Sequence, residues 1–137
     1  MTDAKHRWLL ERDADGEVRT YAEATEEAIC DALSTGYAAL YDTMDESCVW
    51  CIGEPERRII EIRTFSEGRA VYGVVSTECS DICLTSIQVL DCLLNVPSNE
   101  VLTRSQAETV FQAFFHHKSF PSTFRIVAKS YLFGPST

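Results

Sequence analysis

Six cysteines, two adjacent histidines and a string of carboxylates are the residues of this chain with chemistry to offer. The cysteines stand at positions 30, 48, 51, 79, 83 and 92. Cys48-x-x-Cys51 and Cys79-x-x-x-Cys83 could together supply four thiolates to a tetrahedral zinc ion. Cys48 to Ile52, however, spells CVWCI, a strand-like run rather than a knuckle turn, and neither pair carries the usual glycine or basic residues. Small buried thiols are the better reading, with no metal or other cofactor. An even cysteine count would also fit three disulfides, but no secretion signal accompanies it. His116 and His117 are neighbours, about 100° apart around a helix, so they cannot share an ion as an i, i+4 pair can. Their expected role is at a helix C-terminus, where imidazoles and Lys118 suit the negative end of the dipole.

The carboxylates Glu54, Glu56, Glu67, Glu78 and Asp81 fall on the turns of an expected meander of strands. Turns at one end of a sheet can gather charge into a patch, although Arg57, Arg58 and Arg69 partly offset these. Trp50 and Tyr72 lie on strand-like segments and could anchor a partner in an interface pocket, while strand aromatics more often pack inward. Known catalytic signatures are missing: there is no P-loop, dinucleotide-binding glycine fingerprint, Gly-x-Ser-x-Gly elbow, His-Glu-x-x-His helix or zinc-deaminase pattern. The expectation is therefore a binding protein, not an enzyme, with no catalytic residues.

The elements that would position these groups follow from periodicity. KHRWLLER is a strand with Trp8 and Leu10 on one face, Asp15-Gly16 can close a hairpin, and EVRTYAE returns. Thr25 is a good N-cap for a helix over 25–35, with Glu26 and Glu27 at its positive end and Gly36 as a stop. Tyr37, Leu40 and Tyr41 extend that helix or pack just beyond it. Strands are expected at 48–52, 58–65 and 70–76, joined by two short turns. In the middle one Ile60 and Ile62 face one way and Glu61 and Arg63 the other, the mark of a half-buried antiparallel strand. Residues 77–100 are ambiguous, with either a strand or a helix from Thr85 to Leu94. A second helix, 104–118, carries a capping box of Thr103 and Gln106 and a core stripe of Ala107, Val110, Phe111, Phe114 and Phe115. TFRIVAKSYLF is a final strand. The fold class is α+β: one domain over 1–137, a twisted antiparallel sheet with two main helices largely on one face.

A chain of 137 residues that is 45% hydrophobic can bury a real core. It holds 12 Lys plus Arg against 21 Asp plus Glu, a net charge of −9. That charge repels phosphate backbones, so no direct nucleic-acid partner is expected, and it favours a basic protein partner. No apolar run approaches the roughly 18 to 20 residues of a membrane span, and the N-terminal stretch does not read as a signal peptide, which points to the cytoplasm.

Three stretches resemble bacterial immunity proteins of the deaminase-toxin immunity family: ATEEAICDALSTGY followed by CVWCI, RIIEIRTFSEGRAVYGVVS, and VLTRSQAETVFQAFFHHKSFPSTFRIV. The likeness is one of element order over roughly residues 22–127. It implies an intracellular antidote of interbacterial competition, such as accompanies type VI secretion. Such a protein would block the active site of a cognate secreted toxin in a 1:1 heterodimer. The implied toxin is a basic domain, often a zinc-dependent nucleic-acid deaminase whose cleft tolerates phosphate. Glu54, Glu56, Glu67, Glu78 and Asp81 would then meet the basic cleft, with Trp50 or Tyr72 as anchor. Two alternatives stand beside this: an effector-binding adaptor or secretion chaperone, and a small zinc-binding module or enzyme.

Overall fold

The computed structural model describes residues 7–14, 17–21, 24–78, 81–89 and 92–129. Along the chain run β1 (Trp8–Ala14), β2 (Glu17–Tyr21), α1 (Glu26–Ala32), β3 (Tyr37–Asp42), β4 (Cys48–Glu54), β5 (Arg57–Ser66), β6 (Arg69–Thr77), β7 (Leu84–Val89), β8 (Cys92–Pro97), α2 (Arg104–His117) and β9 (Phe124–Ala128). Seven strands form one sheet in the order β2-β1-β3-β4-β5-β6-β9, while β7 and β8 form a separate hairpin. Every pairing is antiparallel. The fold is α+β, as expected. Among the described residues, no helix is long and apolar enough to cross a membrane.

Both helices cover one face. Register places Leu10 opposite Leu40, Leu40 opposite Val49 and Val49 opposite Ile62, a row of apolar side chains across four strands. Ile29 and Leu33 of the α1 region and Val110, Phe111 and Phe114 of α2 close over this row to make the main core. Thr25 caps α1 by accepting from the Ala28 amide, and Thr103 and Gln106 form the reciprocal capping box of α2. α1 has only two turns and no basic residue in its last one. Its orphan carbonyls are met by Arg58, a 1% exposed side chain on β5. The Arg58 guanidinium donates to Leu33 O at 2.7 Å and to Thr35 O at 2.5 Å, tying the helix end to the sheet.

Three expectations change. Tyr37, Leu40 and Tyr41 belong to β3, a strand in the middle of the sheet; their i, i+3, i+4 spacing imitates a continuing helix. The uncertain segment 84–97 is the β7–β8 hairpin. Glu61 and Arg63 are not on a solvent face: they are 0% and 7% exposed. The face opposite the helices is covered as well. Ile87, Val89 and Val96 of the hairpin pack there on Ile52, Ile59 and Val74. Ala39, Cys48 and Trp50 continue that layer, with Tyr37 and Tyr41 against them. The expected hairpin closure at Asp15-Gly16 and the last residues of TFRIVAKSYLF lie outside the described residues.

Candidate protein-binding surface

Strands of a meander turn at alternate ends of a sheet, and this separates the expected acidic residues. The β4–β5 turn carries Glu56, and Glu54 ends β4 beside it. β6 runs back to the same end, where Glu78 and Asp81 follow it. Glu67 sits in the β5–β6 turn, at the far end of a 10-residue strand, about 30 Å away at the usual rise per residue. Glu54, Glu56, Glu78 and Asp81 therefore share one end, and Glu67 is no part of their patch.

Glu54 and Glu78 are engaged within the fold. Glu54 Oε2 accepts from the Gln88 amide at 2.9 Å and from Arg57 Nη1 at 3.3 Å. Arg57 also reaches Thr85 Oγ1 at 2.9 Å, so this pair fastens β7 to the sheet. Glu78 accepts from Arg125 Nε at 3.0 Å across the β6–β9 ladder. Both residues line a cleft of about 400 Å³ with Ser76, Thr77, Ile82 and Asn99. Glu56 and Asp81 are exposed.

The two aromatic candidates part company. Trp50 is 0% exposed, and its Nε1 donates to Glu61 Oε1 at 2.6 Å. With no surface to offer, Trp50 cannot serve as an anchor; it is the centre of the layer beneath Tyr37 and Tyr41. Tyr72 is half-buried on β6, opposite Arg63. Burial raises the Tyr37 and Tyr41 hydroxyls above their ordinary range, and the two share a hydrogen bond.

The cysteine geometry speaks against the zinc quartet. Cys48 and Cys51 are three positions apart on one strand, so they point to opposite faces. Cys48 packs with Ala39 and Trp50, Cys51 with the helix-side core. Burial pushes both thiols up to about 11, which keeps them protonated at neutral pH. Buried thiols describe these two only. Cys30 is half-buried, Cys83 and Cys92 are exposed, and Cys79 lies outside the described residues.

His116 and His117 are exposed at the end of α2. His116 Nε2 lies 2.7 Å from Glu26 Oε1 of α1, and together with Glu27, Cys30 and Gln112 they line an open groove between the helices. Lys118 follows in the left-handed conformation at φ 56°, which costs a non-glycine residue about 1 kcal/mol. Its ammonium offsets this, reaching Asp42 Oδ2 at 2.6 Å and Asp45 Oδ2 at 2.8 Å and lying 4.8 Å from the Phe114 ring centre. Asp42 also takes Arg7 Nη2 at 2.8 Å. Burial raises the Asp42 carboxyl, but the bonds from Arg7 and Lys118 outweigh it and hold the group at about 2.

Sequence reasoning named Arg57, the partner of Glu54, but missed Arg125, the partner of Glu78, and it missed the exposed apolar residues of the hairpin. Alternation in LTSIQV was the available signal for the latter, because a strand there must turn Leu84 away from Ile87. No protein-family model matches the chain, and no curated protein matches it in sequence.

Proposed function

We propose that this chain is a cytoplasmic immunity protein that binds a cognate secreted toxin and occludes its active site, one antidote to one toxin. The observation carrying this reading is the end of the sheet where Glu54, Glu56, Glu78 and Asp81 collect from the β4–β5 turn and the segment after β6, in a chain of net charge −9. Such an end is complementary to a cleft that binds phosphate, and it would compete with nucleic acid for that cleft. A nucleic-acid deaminase is the toxin class implied by the order of elements. Glu56 and Asp81 are the contacts assigned first, with Glu54 and Glu78 behind them and Tyr72 as a flanking aromatic. A complex of this kind buries on the order of 1,200–2,000 Å² in total.

Co-expression tests the reading. The toxin domain encoded beside this gene should halt growth when expressed alone, and this chain should restore growth. If the chain raises the solubility or export of that domain while growth stays arrested, it is an adaptor or chaperone and the antidote reading fails.

A further inference from the structure

We infer that the outer face of the β7–β8 hairpin is the toxin contact, its exposed leucines seated in apolar recesses of a basic domain. This rests on the antidote reading and names the face that carries it. The hairpin is an addition to an otherwise complete sheet-and-helix layer. Its inner residues Ile87, Val89 and Val96 are 0%, 5% and 3% exposed, so the inward face alone accounts for its attachment. Strand alternation leaves Leu84, Ser86 and Gln88 of β7 and Leu93 and Asn95 of β8 facing out. Ser86 and Asn95 pair there at 2.9 Å, the polar choice a solvated hairpin makes. Leu84 and Leu93 flank them at 72% and 68% exposure, and Ile82 leads in at 54%. Leu84 and Leu93 stand on either side of the polar pair, two exposed apolar side chains that a partner can bury on one face.

Two further features point to the partner. The hairpin is fixed at both ends, by Ser98 N donating to Cys83 O at 2.7 Å and Arg57 on Thr85 near its root, and by Glu54 on the Gln88 amide at its far end. A face held this way loses little freedom on binding. Its rim is acidic, with Glu56 on the neighbouring turn and Glu78 and Asp81 ahead of β7. Exposed apolar side chains beside an acidic rim fit interface anatomy, and an acidic rim is complementary to a basic surface opposite. A second copy of this chain is disfavoured as occupant, because it would bring the same acidic rim and a further −9.

The test uses the purified, catalytically inactivated toxin domain encoded beside this gene as probe, with Kd measured by titration calorimetry. Leu84→Asp/Leu93→Asp should weaken binding by about 100-fold or more, since two leucines lose their burial. Leu84→Ser/Leu93→Ser, which leaves the net charge unchanged, should weaken it by at least about 10-fold. Both variants should keep the wild-type thermal midpoint, because neither side chain is in the core. Glu27→Lys, on the exposed side of α1, should bind as wild type does. If wild type binds and both leucine variants bind within about threefold of it, the hairpin is not the contact, and the antidote reading survives. Should wild type not bind the domain at all, that reading falls and this partner with it. Sedimentation that finds a dimer dissolved by Leu84→Asp/Leu93→Asp would reassign the face to self-association.

Discussion

The two ends of the sheet use their carboxylates in opposite ways. At the β3–β4 end, Asp42 is 0% exposed and accepts from Arg7, Lys118 and the Met44 amide. Asp45 shares Lys118 and receives the Ser47 amide and hydroxyl. The Asp42–Lys118–Asp45 cluster holds the C-terminus of α2 against the sheet, while Glu67 at the same end is exposed. At the β4–β5 end, Glu54 and Glu78 are tied to arginines, and Glu56 is exposed on the turn between β4 and β5. The lesson is that net charge alone does not locate a binding surface. What distinguishes these carboxylates is whether the group is buried among cations, as Asp42 is, or exposed, as Glu56 is.

Asp42→Asn should have the largest effect, because it leaves two cations facing a neutral amide in a buried site. A loss of about 3 kcal/mol in denaturant unfolding is expected, with toxin binding by the folded fraction unchanged. The same carboxyl sets a pH response. Its folded pKa, about 2, lies below the ordinary aspartate range. Its stabilisation is therefore complete above about pH 4 and is lost as pH falls toward the folded value. Asp42→Asn should flatten the stability curve over that acid window and nowhere else.

Trp50→Phe should cost about 2 kcal/mol, by taking a donor from the buried Glu61 carboxylate and leaving space in the layer under Tyr37 and Tyr41. Circular dichroism melts would read it; a stability within about 0.5 kcal/mol of wild type would contradict the account of that layer. Smaller again, Glu56→Lys should slow association with the toxin domain several-fold and reduce its salt dependence, without changing stability. Glu67→Lys, the same change at the other end, should leave the association rate as it was. Equal slowing by both would show that long-range net charge, not the β4–β5 end, steers the encounter.

Much of the architecture was legible. Thr25, Thr103 and Gln106 mark helix starts because caps are local chemistry, and RRIIEIRTF marks its strand because alternation is local too. Tyr37–Asp42 was not, since YAALY follows a helix with helical spacing and only its pairing to β1 and β4 makes it a strand. The proposed binding surface was half legible. Glu54, Glu56, Glu78 and Asp81 were placed on turns, but turn parity, which expels Glu67, needs the topology. Trp50 looked available because no residue near it in sequence reveals that the second face of β4 is also covered. Arg58 and Lys118 are the same case: their partners Leu33, Thr35 and Asp42 are remote in sequence and adjacent only in the fold.

The most direct measurement is a titration of toxin activity on nucleic acid, with this chain added to a fixed amount of the domain encoded beside it. Activity should fall linearly to zero at one equivalent. Full activity at a large excess of the folded chain would contradict the account.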